Sequence, residues 1–95
     1  MIKEVGFDEF NNWFVKHRPE NFSYDGRVEL FDYLELMDNI KFDPIVFCVT
    51  YTEYKNIEEF WNDYNKEDYP SFSYIADQTT LIRICGGKGF IIEQF

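Results

Sequence analysis

The sequence has few of the residues on which most catalytic and metal sites depend. It contains one histidine and two cysteines, without a C-x-x-C pair, so a zinc site could not reach four ligands without a carboxylate. Cys48 and Cys85 lie in apolar, strand-like runs, which predicts reduced core cysteines rather than activated nucleophiles. We therefore expect no catalytic residue, no metal and no cofactor.

Basic residues and long hydrophobic runs are also scarce. The chain has 9 basic and 18 acidic residues, a net charge of -9, and its apolar runs are only a few residues long. Nucleic acid and anionic lipid repel such a chain, whereas a basic protein surface attracts it. No transmembrane segment or signal peptide is expected, and the predicted location is the cytoplasm.

Glycine is limited to five residues, three of which lie in the sequence GGKG at residues 86–89. A phosphate-binding loop needs a following helix whose amides face the anion, but only six residues follow. We therefore interpret GGKG as the turn of a β-hairpin.

Aromatic residues, in contrast, are abundant and make up 21% of the 95 residues. Large rings bury much apolar area, which is valuable in a chain of this length. We expect a single domain, residues 1–95, with an aromatic-rich core. Some rings should remain at the surface, where such side chains commonly anchor interfaces.

The spacing of apolar residues predicts helices at residues 7–18 and 25–38, the first of them ended by Pro19. A third helix should begin after an N-cap at Asn56, and a short fourth one after Ser71. The apolar stripe of the third helix consists of Ile57, Phe60, Trp61 and Tyr64.

Two further stretches predict strands. Residues 45–52, IVFCVTYT, are β-branched and aromatic, with Pro44 at their start. Residues 79–95 predict a hairpin, for which we prefer a three-residue loop over Gly87–Gly89, because it pairs Arg83 with Glu93. This register would gather Ile82, Ile84, Phe90 and Ile92 on one face. The predicted fold class is α+β, with three or four helices packed on a small, mainly antiparallel sheet of about three strands that ends in the C-terminal β-hairpin.

The negative charge is unevenly distributed. Residues 29–77 hold 12 acidic and three basic residues, whereas the rest of the chain holds six of each sign. The segment EYKNIEEFWNDYNKEDY, residues 53–69, combines carboxylates with tyrosines. Core packing accounts for its apolar stripe but not for its acidic outer face. The candidate partner-binding residues are Glu53, Tyr54, Glu58, Glu59, Asp63, Tyr64, Glu67, Asp68 and Tyr69, with Glu29, Asp32 and Glu35 of the second helix as an extension.

Residues 31–64, FDYLELMDNIKFDPIVFCVTYTEYKNIEEFWNDY, resemble a group of small acidic proteins of bacteriophages and prophages. In that group an F-x-Y-L-E helix leads through F-D-P-I into a strand ending Y-T-E-Y, then an EEF..DY helix and a hairpin ending near F-I-I-x-x-F. The resemblance covers residues 31–95, and residues 1–30 depart from the pattern. It implies a protein of a bacterial host's cytoplasm that inhibits a defence system, such as an anti-CRISPR or antirestriction protein.

The leading hypothesis is a non-enzymatic inhibitor whose carboxylates stand where phosphates normally bind, as a DNA mimic does. Its partner would be a host protein with a basic surface, for example a CRISPR effector or restriction component, and neither nucleic acid nor a membrane is expected as a direct partner. Reversing Glu59 and Asp63 to lysine should then abolish binding without unfolding. The alternatives are an interaction module or homodimeric accessory protein that uses exposed aromatics or a sheet edge, and an enzyme with converging carboxylates.

Overall fold

The computed structural model describes residues 5–37 and 39–95. Within them, five helices surround one antiparallel sheet of three strands, which confirms the predicted α+β class. In chain order the elements are α1 (Phe7–His17), α2 (Tyr24–Glu35), α3 (Pro44–Thr50), β1 (Tyr51–Tyr54), α4 (Ile57–Phe60), α5 (Phe72–Gln78), β2 (Leu81–Arg83) and β3 (Phe90–Glu93).

The sheet is buried on both faces. β3 lies between the edge strands β1 and β2, and its side chains alternate between two hydrophobic clusters. Ile91 belongs to a cluster with residues of α1, α2 and α3, whereas Phe90 and Ile92 belong to a cluster with residues of α4 and α5. The molecule therefore has three layers, which we call the α1–α3 layer, the sheet and the α4–α5 layer.

The first two helices lie close to their predicted positions. α1 ends one residue before the predicted end and carries Asp8 and Glu9 in its first turn, where the helix dipole favours acids. α2 begins at Tyr24, after the N-cap Ser23, and ends three residues earlier than predicted. The last predicted residue of that helix, Asp38, lies outside the described residues.

The prediction of a strand over residues 45–52 is wrong for most of its length. Residues 44–50 form α3, and the strand begins only at Tyr51. Asp43 caps this helix, because its Oδ1 accepts a hydrogen bond of 3.3 Å from the Val46 N–H. Pro44 takes the first helical turn, where its missing N–H costs nothing. These end signals and the packing of Phe47 outweigh a β-branched composition that costs less than about 1 kcal/mol per residue in a helix.

The predicted hairpin is present, but its predicted register is wrong. Arg83 lies opposite Phe90, not Glu93, and the Ile84 N–H donates to the Gly89 carbonyl at 3.0 Å. The connecting loop therefore covers residues 85–88, with Gly86 at a φ of 84°. Hydrophobic alternation could not select the register here, because both faces of the sheet are buried. Ile82 and Ile84 consequently face the α1–α3 layer, whereas Phe90 and Ile92 face the other one.

The interpretation of both cysteines as core residues is wrong for Cys85, whereas Cys48 packs against the core from a partly buried position. Cys48 is half-buried on α3, and Cys85 is exposed in the hairpin loop. Partial burial raises the pKa of the Cys48 thiol, and the positive charge of Arg18 offsets part of this rise.

Candidate protein-binding surface

Local hydrogen bonds give residues 53–69, the acidic segment, a defined shape. The Asn56 Oδ1 accepts from the Glu59 N–H at 2.8 Å, while the Glu59 Oε1 accepts from the Lys55 N–H at 3.2 Å. The first bond satisfies an amide that the start of α4 leaves free, and the second holds the residue before the cap. After α4 the chain forms turns. The Trp61 Nε1–H donates to the Tyr69 carbonyl at 2.9 Å and so links the two ends of this turn region.

The apolar side of the acidic segment packs onto the sheet, as the sequence predicts. Phe60 is fully buried and stacks on the Tyr64 ring with a centroid distance of 4.5 Å. Ile57, Trp61 and Tyr64 surround the same cluster. Core packing therefore accounts for the predicted apolar stripe. A partner of this segment would contact its outer face.

The three tyrosines of the candidate set are not free surface anchors. Tyr54 is only 5% exposed, and its hydroxyl donates to the Asp63 Oδ2 at 2.9 Å. Burial, and next this carboxylate, raises the pKa of Tyr54. Tyr64 and Tyr69 are half-buried, and their rings lie edge-on to each other at 6.1 Å. These rings hold the acidic segment on the sheet, and Tyr54 itself is a core residue.

Four of the candidate carboxylates already accept hydrogen bonds within the protein. Besides Glu59 and Asp63, Glu53 accepts from the Ser23 N–H at 2.9 Å, and Glu29 accepts from the Cys85 N–H at 3.0 Å. Reversing Glu59 and Asp63 to lysine would therefore disturb the fold as well as the surface.

The remaining candidate carboxylates are exposed but do not form one surface. Glu58, Glu67 and Asp68 lie on the outer side of the acidic segment. Asp32 and Glu35 are exposed on α2, in the layer on the other side of the sheet. The acidic segment and the proposed α2 extension therefore belong to different layers of the molecule.

A shallow cleft adjoins the start of the acidic segment, which the sequence analysis did not predict. Its volume is about 400 Å³. Residues 19–23 form one wall, and Glu53, Lys55 and Glu59 form the other. The Ser23 N–H to Glu53 hydrogen bond joins the two walls. The cleft is predominantly acidic, because Glu20 also lines it and Lys55 is the one basic residue among the lining residues.

A buried arginine holds the wall formed by residues 19–23. The Arg27 Nη1–H donates to the Phe22 carbonyl at 2.7 Å, and its Nε–H donates to the Asn11 Oδ1 at 2.6 Å. Arg27 is the one charged side chain that is buried among the described residues. The neighbouring Gly26 provides room for the opposite wall, because a Cβ on it would overlap the Glu53 carboxylate. The sequence Ser23-x-x-Gly26-Arg27 was the available signal. Its spacing alone does not identify Glu53 of β1 as the residue that lies against it.

Other kinds of site receive no support from the geometry of the described part of the chain. Among residues 5–37 and 39–95, no three His, Cys, Asp or Glu side chains are placed to hold a metal ion. No helix found there combines the length and the apolar character that crossing a membrane requires. Comparison of the chain with protein-family models found no match, and comparisons with curated proteins and with solved structures found none either.

Proposed function

We propose that the protein is a non-enzymatic inhibitor that binds a basic surface of another protein through its acidic segment. The observation that carries this proposal is the placement of the exposed Glu58, Glu67 and Asp68 on a segment whose backbone is held by its own caps and by the core. Carboxylates on a fixed backbone lose little conformational freedom on binding, which favours affinity as well as rate of association.

The adjoining cleft supports the same proposal. Glu53 and Glu59 each use one oxygen, Oε1, for a backbone N–H, so each keeps a second oxygen for a partner. A lysine or arginine side chain of the partner would fit such an acidic cleft, because its stem can lie on Pro19 while its charge meets the carboxylates.

We further propose that the inhibited protein is a nucleic-acid-handling component of a bacterial defence system, such as a CRISPR effector or a restriction enzyme. This setting rests on the resemblance of residues 31–95 to small acidic phage proteins. A carboxylate surface that replaces phosphates would compete directly with nucleic acid for the basic surface of such a component.

Capture from a bacterial lysate followed by mass spectrometry would provide the partner, and a salt series would then test the mode of binding. We expect the affinity to fall steeply with rising salt, because exposed charges are screened over about 8 Å at physiological ionic strength. An affinity that is unchanged at high salt would show that the acidic segment is not the binding surface.

Two charge-reversed variants locate the surface. The Glu67→Lys, Asp68→Lys pair alters the acidic segment, and the Asp32→Lys, Glu35→Lys pair alters α2 by the same total charge. We expect the first pair to weaken binding at least tenfold and the second to change it little. Equal losses in both variants would mean that only the net charge matters, and the proposed surface would be wrong.

A second candidate function is docking through exposed rings or a sheet edge. Tyr24, Tyr74 and Phe95 are large exposed aromatics, and β1 and β2 are the edge strands of the sheet that the described residues form. In this case both charge-reversed pairs would bind normally, and Tyr74→Ala or Tyr24→Ala would abolish binding.

A further inference from the structure

The backbone of β2 directs a row of donors away from the sheet. In an antiparallel pair, alternate residues bond to the neighbouring strand, and the residues between them point their N–H and C=O groups to the other side. The Ile84 N–H donates to the Gly89 carbonyl, next to β3. Leu81, Arg83 and Cys85 therefore direct their backbone groups away from β3. Such groups on an edge strand can pair with a strand of another molecule, which is how sheet edges cause association.

A side chain of α2 occupies the last donor of this row. Glu29 is half-buried on α2, which is in contact with β2, and its Oε2 accepts from the Cys85 N–H at 3.0 Å. A carbonyl oxygen of an added strand would have to take the same place, since the N···O distance in a ladder is also about 2.9 to 3.0 Å. The carboxylate would repel that oxygen, and displacing it would leave a charge without its hydrogen bond inside the new interface.

The other edge of the sheet is covered at both ends of β1 by nearby residues. The Tyr51 N–H donates to the Phe47 carbonyl at the end of α3. Just past the strand, the Lys55 N–H donates to the Glu59 Oε1 at 3.2 Å. The Cys85 N–H, in contrast, is covered by a helix 56 residues earlier in the sequence. Among the described residues, the outer N–H groups of β2 receive a side-chain acceptor only through this long-range contact.

We propose that Glu29 protects the edge of β2 and so prevents two copies of this chain from pairing edge to edge. Without this carboxylate, Leu81, Arg83 and Cys85 would offer three outward N–H groups in succession. The β2 strand of a second copy could then pair with them antiparallel about a twofold axis, because each copy supplies the same alternating donors and acceptors. This role concerns contacts between copies, so it goes beyond the proposed function and does not depend on it.

The net charge of the chain also keeps copies apart, and the test has to separate this effect from that of Glu29. Each copy carries a net charge of -9, which repels a second copy at low salt. In about 1 M sodium chloride the screening length falls to about 3 Å. Repulsion between whole molecules is then weak, whereas the contact between the Glu29 carboxylate and the Cys85 N–H still occupies the edge.

Sedimentation equilibrium of the whole chain in about 1 M sodium chloride, at about 10 μM to about 1 mM protein, tests the proposal. We expect the wild type to remain monomeric and Glu29→Ala to form dimers with a dissociation constant below about 1 mM. Asp32→Ala, the matched control, removes the same charge from an exposed position of the same helix and should remain monomeric. Glu29→Gln keeps an acceptor for the Cys85 N–H and should dimerise at least about tenfold more weakly than Glu29→Ala.

Amide hydrogen exchange of Glu29→Ala locates the contact between copies. We expect the Leu81 and Arg83 amides to exchange at least about tenfold more slowly in the dimer than in the monomer, because each gains a hydrogen bond. The Glu53 amide, in the edge strand on the other side of the sheet, should exchange equally in both. Alanine favours a helix, so both alanine variants should keep the fold, which circular dichroism verifies.

Several results would overturn the protective role of Glu29. Glu29→Ala could remain monomeric at about 1 mM, or the wild type could dimerise equally well. Asp32→Ala could associate as strongly as Glu29→Ala, which would make the lost charge the cause. Equal dimerisation of Glu29→Gln and Glu29→Ala would show that the hydrogen bond to Cys85 does not close the edge. Dimers without slower exchange at Leu81 and Arg83 would place the contact elsewhere on the molecule.

Discussion

At the scale of single residues, the acidic side chains of this protein differ in whether they accept a hydrogen bond that holds the fold. Sequence alone presents Asp63 and Asp68 as the same kind of residue. In the structure Asp63 accepts from the nearly buried Tyr54 hydroxyl, whereas Asp68 is exposed in a turn. Both carboxylates are exposed, but only Asp68 can be engaged or replaced without cost to this hydrogen bond.

We expect Asp63→Ala to lower the free energy of unfolding by about 1 to 3 kcal/mol, because it leaves the Tyr54 hydroxyl without its acceptor. Asp68→Ala should change it by less than about 0.5 kcal/mol. Urea unfolding of both variants provides the comparison. Equal stabilities would mean that the Tyr54–Asp63 hydrogen bond contributes nothing to the fold.

Gly26 and Glu53 should be energetically coupled. Alanine is favoured over glycine by about 1 kcal/mol within a helix, but a Cβ at residue 26 would displace the Glu53 carboxylate. Its bond to the Ser23 N–H would then be lost. We expect Gly26→Ala to destabilise the wild type and to be at least about 1 kcal/mol more favourable in the Glu53→Ala background, where only the Ser23 Oγ, 3.1 Å from the new Cβ, remains in close contact. A double-mutant cycle measures this difference, and additive effects would contradict it.

The Tyr51 phenol should make the protein sensitive to alkali. Burial, reinforced by the nearby Tyr33 and Glu93, raises the pKa of Tyr51 to about 12. An unfolded tyrosine ionises near about pH 10, so the stabilising effect of the neutral phenol is complete below that pH and is lost as the pH rises towards about 12.

Tyr51→Phe, which cannot ionise, should therefore lose less stability than the wild type above about pH 10. Denaturant unfolding at a series of pH values measures this, with the exposed Tyr24→Phe as the control. Parallel curves for the wild type and Tyr51→Phe would rule out the phenol as a cause.

At the scale of elements, the residues that begin or end a helix predicted its position better than the composition of the segment did. The prediction of α1 succeeded because Pro19 and the basic residues at its end agree with its apolar spacing. The prediction for residues 45–52 failed because composition favoured a strand, whereas Asp43 and Pro44 favoured a helix start. The hairpin register failed for another reason: it depends on which layers cover the sheet, which no local pattern contains. The cleft was missed likewise, because its walls come from segments 30 residues apart.

The contribution of the Asp43 cap to the stability of the protein should be measurable by itself. We expect Asp43→Ala to destabilise the protein by about 1 kcal/mol and Asp43→Asn by much less, because asparagine also caps helices well. Thermal unfolding of the two variants tests this. An equal loss for both would mean that the negative charge, rather than the side-chain acceptor, stabilises α3.

At the scale of the whole molecule, two hydrophobic clusters share a single small sheet. Ile91 and Ile92 are neighbours in β3, both are fully buried, and they face opposite layers. A sheet with one solvent-exposed face would bury only one of them. The stability of the domain therefore depends on both layers through this single strand.

We expect Ile91→Ala and Ile92→Ala each to cost about 2 to 5 kcal/mol, because both leave cavities in a packed core. Val49→Ala, at an exposed position, should cost less than about 0.5 kcal/mol. Urea unfolding of the three variants tests the layered arrangement. A near-neutral effect at either isoleucine would mean that its face of the sheet is not covered.

The central position of β3 also has a consequence for synthesis on the ribosome. β1 and β2 are both made before β3, and within residues 5–37 and 39–95 they do not pair with each other but each pairs with β3. The helices can begin to form as they emerge, but the two hydrophobic clusters have no sheet to join until residues 90–93 have left the exit tunnel. Until then the nascent chain exposes its aromatic rings, and the closing step of folding is a strand insertion rather than the docking of finished parts.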